Sequence, residues 1–491
     1  MNDRLQHIYQ SYSLLMPEAV VTVALLITIV LGLALKNNRH LFFILKTLAL
    51  VAYSVSIFIV IHHTPAQSSI LFGGMMRVDD FSSYFKILFL LGGILGVWMS
   101  GTQKENSSAE YFTLFYAVTL GSCLLASSTN FIMVLLSLEL ISLSSYLLAG
   151  FGFDKKSAEG SLKYFLFGTV ATACMIYGMS LIFGLAGTLD FSSDQFIKNL
   201  VAFSSPLLLI GGLLTLSGFL FKITAAPFHL WAPDVYESAP TPVVAFISVV
   251  PKLAGMAVLT KFTLAINLFG QSGYNWQMIV AVISLLSILI GNFSAIAQTN
   301  PKRMLAYSSV AQSGFMLIGI VTFGMAGIHF MLFYSAVFLI MNFLVFNAIQ
   351  QFENAWGVDD IKSLAGLGTT FIIPSLALLA GLVALTGLPP TAGFTAKLFI
   401  FSSLWDAFNQ TGETMLLALF VIGLLASVVS LFFYLKMPYY LFIKEKKNAG
   451  QTVKSDWVGN LLNVILVILL FYLFISPSGL MGWINKISFV L

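Results

Sequence analysis

The chain has 491 residues, of which 58% are hydrophobic and only 9% are charged. Soluble domains carry about a quarter charged residues, so this composition excludes an ordinary soluble protein and indicates a polytopic membrane protein. The net charge of +4 comes from 24 basic and 20 acidic residues scattered along the chain, too weak and too dispersed for a nucleic-acid-binding surface.

The apolar runs predict an all-α fold with about fourteen transmembrane helices, because about 20 apolar residues make one crossing. The predicted spans are 15–35, 41–62, 81–101, 111–127, 130–150, 162–186, 206–232, 242–266, 277–298, 303–324, 328–350, 371–401, 414–443 and 457–476. The connections between them are too short to hold a soluble domain.

Basic residues divide unequally between alternate loops, and the richer side is expected to face the cytoplasm. That side has Lys36, Arg39, Lys104, Lys155, Lys156, Lys302, Arg303, Lys362, Lys444, Lys446, Lys447 and Lys454, against Arg4, Arg77, Lys198 and Lys486 on the other. With an even number of spans, both termini are then expected to face outward.

Two predicted spans contain helix breakers. The seventh is interrupted around residues 225–227, and the twelfth contains LTGLPPTAGFTAK; each carries a lysine beside its break, Lys222 and Lys397. The two spans are five apart and run in opposite directions, which predicts inverted repeats of spans 4–8 and 9–13 with broken helices 7 and 12. The predicted segments are an N-terminal three-helix segment 1–105, repeats 106–268 and 269–446, and a C-terminal segment 447–491.

Three ionisable residues lie deep within predicted spans. Glu139, Lys222 and Lys252 are each about nine or ten residues from a span end, where a charged side chain costs about 2.5–3.5 kcal/mol on insertion scales. Glu139 is either a protonatable site or a carboxyl that snorkels or stays neutral with a local hydrogen bond. The lysines can snorkel about two turns, but ionisable groups at this depth favour a functional interpretation.

Other ionisable residues leave alternatives open. Lys163 fits a functional site or a cytoplasmic-side anchor equally well, whereas Lys397 approaches a span end but its position beside a break favours function. His229 is either a proton relay, since imidazole titrates near neutral pH, or a side chain satisfied by carbonyls freed at Pro227. For Lys86, Lys261 and Lys436, near span ends, we expect snorkelling. A polar stripe on span 10 either holds water or packs helices; it comprises Tyr307, Ser308, Ser309, Gln312 and Ser313.

The sequence predicts no cofactor and no metal in this chain. Its two cysteines, Cys123 and Cys174, lie in separate apolar runs, and there is no Walker loop, dinucleotide fingerprint or metal-ligand spacing. Work done by this chain is therefore expected to be driven by a gradient or by a partner.

Three long motifs, FKITAAPFHLWAPDVYESAPTPV, NPKRMLAYSSVAQSGFMLIG and LTGLPPTAGFTAKL, resemble signatures of the antiporter-like subunits of proton-pumping respiratory complex I and of the related multisubunit cation/proton antiporters. The resemblance covers roughly residues 110 to 440 and implies a fold of two inverted repeats. The chain ends after its fourteenth predicted span without the additional helices of subunit L, and it has Lys397 where subunit M has glutamate.

The resemblance also implies roles for the ionisable residues. Glu139 and Lys222 would form an input pair, Lys163 would modulate Lys222, Lys252 would be the central relay, and Lys397 the site of proton release. Gln312 stands where some relatives have histidine, so a relay at that position is doubtful.

The implied partners are lipid and other membrane-arm subunits, namely K, M, A, J, H and the lateral helix of L. FMN and iron–sulfur clusters would lie in partner subunits, and quinone would be the substrate of the complex. This reading makes the chain part of an enzyme, a proton-translocating NADH:quinone oxidoreductase. The alternatives are a subunit of a multisubunit sodium/proton antiporter and a passive structural spacer.

Overall fold

The computed structural model describes residues 11–36, 38, 40–63, 68–101, 108–202, 206–267, 274–445 and 456–488. Six of the loop charges used to predict topology lie outside these ranges: Arg4, Arg39, Lys104, Lys446, Lys447 and Lys454. The described chain is helical apart from one small hairpin and the connecting loops. It forms two compact units.

The first unit comprises residues 1–223, 250–276 and 487–491. Its described helices are α1 (Met16–Ala34), α2 (Leu41–His63), α3 (Asp80–Met99), α4 (Ala109–Ser127), α5 (Phe131–Ala149), α6 (Lys155–Ala186), α7 (Asp194–Ala202), α8 (Pro206–Lys222) and the second part of α10 (Thr241–Asn267). Strands β1 (Ser69–Leu71) and β2 (Met76–Val78) pair antiparallel, with Ile70 opposite Arg77.

The second unit comprises residues 224–249 and 277–486. Its described helices are α9 (Ala232–Ser238), the first part of α10, α11 (Trp276–Ile296), α12 (Pro301–Val321), α13 (Met325–Trp356), α14 (Ile372–Thr386), α15 (Ala392–Thr411), α16 (Thr414–Tyr434), α17 (Lys436–Phe442), α18 (Trp457–Ile475) and α19 (Ser478–Ile484). A short 3₁₀ helix, Ile361–Leu364, precedes α14.

The prediction of an all-α polytopic membrane protein is confirmed. Within the described ranges, 12 helical segments are long and apolar enough to cross a membrane. Two shorter apolar helices, α8 and α14, end at the two predicted breaks. The count of fourteen spans and the repeat boundaries remain predictions.

Polar N-caps start several of the helices. Asp79 accepts a hydrogen bond from the Ser82 amide at the start of α3, and Asn300 accepts one from the Arg303 amide at the start of α12. These side chains satisfy amides that the first helical turn leaves without intrahelical partners. The local sequence therefore fixes where α3 and α12 begin.

Burial separates inner from outer helices. In the most apolar 18-residue stretch of each helix, 100% of the residues of α10 and 94% of those of α12 are buried, whereas only 33% are buried in α2 and in α18. The exposed faces of the outer helices are apolar, which suits contact with lipid. Polar groups on the inner helices must therefore find their hydrogen-bond partners within the protein.

One buried amide cluster joins α18 to α13. Asn347 Nδ2 donates to Asn463 Oδ1 at 2.8 Å and to the Gly459 carbonyl at 2.9 Å. Asn463 Nδ2 donates in turn to Gln351 Oε1 at 3.1 Å. Interhelical side-chain hydrogen bonds of this kind hold helices together in lipid.

We predict that Asn463→Leu weakens the attachment of α18 by about 0.6–1.7 kcal/mol, the range measured for interhelical hydrogen bonds in membranes. Thermal denaturation of the purified assembly measures the loss. Leu461→Ala, on the 44% exposed face of the same helix, is the matched control and should leave the midpoint unchanged. Equal midpoints for the wild type and Asn463→Leu would contradict this role.

Candidate functional site

Lys222 is the last residue of α8 and is buried in the first unit. Its Nζ donates a hydrogen bond to Ser142 Oγ on α5 at 2.9 Å. Glu139 precedes Ser142 by one helical turn, is half-buried, and lies close enough to Lys222 to interact electrostatically. The structure thus brings the predicted input pair together, and the hydrogen-bond partner of Lys222 is Ser142, which the sequence did not single out.

Lys252 is buried on α10, directly after Pro251 inside the helix. Gly255 follows by one turn, and a Cβ added there would lie 3.2 Å from Lys222 Cβ and 2.8 Å from Ile223 Cγ2. The absence of a side chain at Gly255 therefore allows α10 to pack directly against the end of α8. Residues three apart share a helix face, so Lys252 is on the face of α10 that meets Lys222.

Lys163 differs from the other predicted lysines in its surroundings. Its side chain is 40% exposed and pairs with Glu159 on the same helix at 2.9 Å. Its neighbour Tyr164 is buried, with its ring 5.8 Å from that of Phe221 on α8. The structure places the helix beside α8 but gives the Lys163 ammonium a carboxylate partner on its own helix, so its modulating role remains a prediction.

The predicted break in the seventh span follows Lys222. Thr224 has a φ of 61° and the Ala226–Pro227 bond is cis. Within the second unit, Ser287 Oγ of α11 accepts a hydrogen bond from the Ala226 amide at 2.9 Å. A side chain from a neighbouring helix thus satisfies a backbone group released by the break.

His229 is buried within the break, beside the Pro227 carbonyl. Because the helix does not continue through residue 229, its spacing from Lys222 does not place the two on one helix face. The two interpretations of His229, relay or structural histidine, both remain predictions.

Lys397 lies in α15, just after the second break, and is buried. Its Nζ donates to the Thr386 carbonyl at the end of α14 at 2.7 Å and lies 4.4 Å from the centre of the Phe315 ring. Both contacts favour an ammonium, because a helix carboxyl end is electronegative and an aromatic face attracts cations. The snorkelling alternative does not describe Lys397 in this structure.

Gly387 makes room for that side chain. It ends α14 with a φ of 84°, and a Cβ there would lie 2.6 Å from Lys397 Cδ. The Pro389–Pro390 bond, also cis, completes the turn into α15. The residues that break the span therefore also create the space for its lysine.

A chain of buried polar side chains leads to the same break. Gln312 Nε2 donates to the Leu385 carbonyl at 3.0 Å and to the Tyr434 hydroxyl at 3.2 Å. Tyr334 donates to Gln312 Oε1, and Ser308 is hydrogen-bonded to Tyr434. The polar stripe of span 10 thus has protein partners in α13 and α16.

The tyrosines Tyr334 and Tyr434 were missed at the sequence level. Each is a single tyrosine in an apolar run, so the only indication in the sequence was a hydroxyl group at membrane depth. Gln312 and Lys397 bind the consecutive carbonyls of residues 385 and 386. The polar side chains and Lys397 are therefore connected through two adjacent backbone carbonyls of α14.

An ionic cluster fixes α9, the short helix after the first break, to α12. Arg303 Nη1 contacts Asp234 Oδ1 at 2.7 Å and Glu237 Oε2 at 3.0 Å. Lys302 Nζ lies 3.3 Å from Glu353 Oε1. The two basic residues counted as topology signals therefore also hold the broken segment in place.

The snorkelling prediction is wrong for two lysines. Lys86 is buried against Glu18 at 2.7 Å, and Lys261 is buried with its Nζ donating to the Ala126 carbonyl at 2.6 Å. Both helices are packed against protein at these positions, so the ammonium groups turn inward. Lys436 is half-buried and donates to the Gln298 carbonyl at 2.7 Å, and its snorkelling remains a prediction.

The arrangement is suited to moving protons. Within the described ranges, no group of three or more His, Cys, Asp or Glu side chains could hold a metal ion, and Cys123 and Cys174 are free thiols. Each unit holds a buried lysine: Lys222 is the last residue of α8, and Lys397 of α15 binds the carboxyl end of α14. Both lysines contact groups that stabilise the charged form. Such a lysine can bind and release a proton when its surroundings change.

A family model described as NADH:quinone oxidoreductase/Mrp antiporter, TM, matches residues 128–430. A second, described as NAD(P)H-quinone oxidoreductase subunit 2 N-terminal, matches residues 1–101.

Curated relatives agree with these models. The chain is 38% identical over 429 residues to NADH-quinone oxidoreductase subunit N 2 of Chloroherpeton thalassium, covering 84% of this chain and 82% of the relative. It is 34% identical over 487 residues to NADH-quinone oxidoreductase subunit N of Chlorobium chlorochromatii, covering 95% and 93%.

A solved structure, respiratory complex I from Thermus thermophilus with bound aureothin, contains a chain of similar fold. The TM-score is 0.80 at 28% identity, covering 95% of this chain and 98% of that chain. On the family models and relatives together, the chain belongs to the NADH:quinone oxidoreductase/Mrp antiporter transmembrane family, among the subunit N proteins of NADH-quinone oxidoreductase.

Proposed function

We propose that this chain is a proton-translocating membrane-arm subunit of NADH:quinone oxidoreductase, driven by electron transfer from NADH to quinone in partner subunits. The observation that carries the proposal is a buried lysine in each unit, Lys222 at the end of α8 and Lys397 bound to the end of α14. Burial of an ammonium is costly in lipid. Ser142 and Glu139 on α5 make it tolerable for Lys222, and the Thr386 carbonyl at the second break does so for Lys397.

In the first unit, proton transfer is controlled by the charge of Glu139. While Glu139 is ionised, it stabilises the ammonium of Lys222, which Ser142 also holds. When that negative charge is neutralised, desolvation favours the neutral amine and the proton leaves. Lys252, on the helix packed against Lys222, is the acceptor that fits this geometry. Lys163, whose ammonium lies on α6, modulates the proton affinity of Lys222 in this step.

In the second unit, Lys397 is the release site. Its proton is held by the Thr386 carbonyl and the Phe315 ring rather than by a carboxylate. Movement of α14 relative to α15 would weaken the contact with the Thr386 carbonyl but not the contact with Phe315, which belongs to α12. A change in the break is thereby coupled to release. Gln312 holds the neighbouring carbonyl of Leu385 and is itself hydrogen-bonded to Tyr434, so the two side chains together set the geometry of the break. His229 is an additional relay candidate.

The wider setting follows from the family. We infer a bacterial inner membrane with both termini on the periplasmic side, two inverted repeats at 106–268 and 269–446, and partners comprising subunits K, M, A, J, H and the lateral helix of L. FMN and iron–sulfur clusters belong to partner subunits, and this chain holds no redox centre. Purification that yields flavin and iron–sulfur subunits supports this setting, whereas copurification with antiporter subunits alone supports a sodium/proton antiporter.

We predict that Lys222→Ala leaves the complex assembled but lowers proton pumping and coupled quinone reduction on the order of a hundredfold or more, as expected for loss of a proton-transfer group. Lys222→Arg should fail similarly, because arginine keeps the charge but does not release its proton. The measurement is proton translocation with NADH-driven quinone reduction in reconstituted vesicles. Lys436→Ala, at a helix end, is the control; normal pumping in Lys222→Ala would refute the role.

Combined Lys252→Ala and Lys397→Met should reduce the number of protons moved per NADH oxidised. Methionine keeps the unbranched stem beside Gly387 and Phe315 while removing the ammonium, so packing of the break is largely preserved. The stoichiometry is measured by proton release against NADH consumption. Full stoichiometry in the assembled double variant would show that the chain is a passive spacer.

Tyr434→Phe and Gln312→Leu should each slow coupled turnover severalfold, because Gln312 binds the Leu385 carbonyl at the end of α14 and the Tyr434 hydroxyl holds Gln312 in place. The rate of NADH-driven proton pumping at saturating quinone is the readout. Tyr439→Phe, a matched phenol removal on an exposed ring, should be neutral. Wild-type rates in both test variants would remove the polar chain from the mechanism.

A further inference from the structure

The proposed proton path leaves unused a buried ion pair in the first unit. Glu18 in the first turn of α1 and Lys86 in α3 have side chains only 5% and 2% exposed, with Glu18 Oε1 2.7 Å from Lys86 Nζ. Apart from this contact, no described residue donates a hydrogen bond to the Glu18 carboxylate. A buried pair of this kind is not explained by stability, because apolar replacements are often as stable.

The pair borders a small cavity. It has a volume of about 10 Å³ and is lined by the polar residues Lys86, Ser83 and His63 and the apolar residues Leu14, Pro17, Ile59, Val60 and Val78. This volume is at the lower limit of what one water molecule needs, and the three polar residues are the hydrogen-bonding groups that the lining offers. His63 is the last residue of α2 and is exposed. The buried lysine and an exposed histidine therefore line one cavity with room for a single water.

Further charges surround the pair. Lys261 on α10 interacts electrostatically with Lys86, Asp79 and Arg77. Cys123 on α4 faces both members of the pair, and Asp80, beside Asp79, is half-buried. The buried groups thus comprise three cations, Lys86, Lys261 and Arg77, and two carboxylates, Glu18 and Asp79, with Asp80 half-buried beside them. Neighbouring cations repel one another strongly in a low-dielectric interior, so a proton that arrives on Lys261 acts on the ammonium of Lys86.

We propose that the Glu18–Lys86 pair is a proton-exchange site that opens through His63 to the water at the outer end of the first unit. The proposal rests on the proposed function and adds an outlet within the first unit. Alternate-loop charge places the start of α1 and the end of α2 on the periplasmic side. The ligand is the proton itself.

One proton is transferred in two steps. A proton on Lys261 repels the ammonium of Lys86, which passes one proton through the cavity water to the His63 imidazole and from there to outer water. Glu18 stays ionised and attracts the proton of Lys261 to the vacated amine of Lys86. One proton has then moved from Lys261 to the outer water, and Lys261 is free to be recharged.

The test uses the assembled complex in vesicles, with proton release at the outer face measured alongside NADH-driven quinone reduction. His63→Gln is compared with His62→Gln, because His62 is also exposed but packs on Phe58, with ring centres 4.3 Å apart. We expect proton release to slow severalfold in His63→Gln only. Equal release in the two variants would overturn the proposal.

Combined Glu18→Gln and Lys86→Met removes the pair without leaving one charge unpaired. We expect it to assemble and to release fewer protons per NADH, whereas Ser56→Ala, which removes a buried hydrogen bond to the Pro17 carbonyl at 3.2 Å, should release the normal number. Normal stoichiometry in the double variant would make the pair structural and refute the proposal. If the double variant fails to assemble, the His63→Gln comparison decides alone.

Lys222→Ala, measured in parallel, separates the two hypotheses. Impaired pumping in Lys222→Ala with normal release in His63→Gln and in the double variant refutes only the outlet. Normal pumping in Lys222→Ala refutes the proposed function itself.

Discussion

The backbone carbonyl of Thr386 bound to the Lys397 ammonium shows the constraint on which the structure depends. In lipid, every backbone polar group must find a partner within the protein, and every buried charge must be compensated. A break in a helix frees carbonyls and amides, and a lysine supplies donors. Placing the two together satisfies both requirements, as Lys397 and Gln312 do at consecutive carbonyls of α14.

The breaks and the lysines beside them could be predicted because their signals are local. Proline and glycine disrupt a helix through their own covalent geometry, and a lysine ten residues inside an apolar run is visible in any reading of the sequence. The partners could not be predicted in the same way. Ser142, Ser287 and Tyr434 are joined to the site by tertiary packing, and nothing adjacent to them in the chain indicates it.

Lys86 and Lys261 show where prediction from depth fails. Distance from a span end measures how far a lysine must reach along the helix axis to find water. It does not report which face of the helix meets lipid and which meets protein. Lys86 and Lys261 lie on helix faces that pack against protein. A carboxylate and a carbonyl there lie within hydrogen-bonding distance of the two ammonium groups, so these side chains turn inward instead of extending to the membrane surface.

Lys222 in the first unit and Lys397 in the second are held by different kinds of contact, and this difference has a mechanistic consequence. Lys222 contacts a hydroxyl within the field of a carboxylate, so the ionisation of one side chain, Glu139, changes the stability of its charge. Lys397 is held by a helix end and an aromatic ring, whose charges do not titrate. Its proton affinity can therefore change through geometry, hydration or the charge of more distant groups, but not through protonation of these two contacts. The first site is suited to respond to an arriving charge and the second to respond to motion of the break.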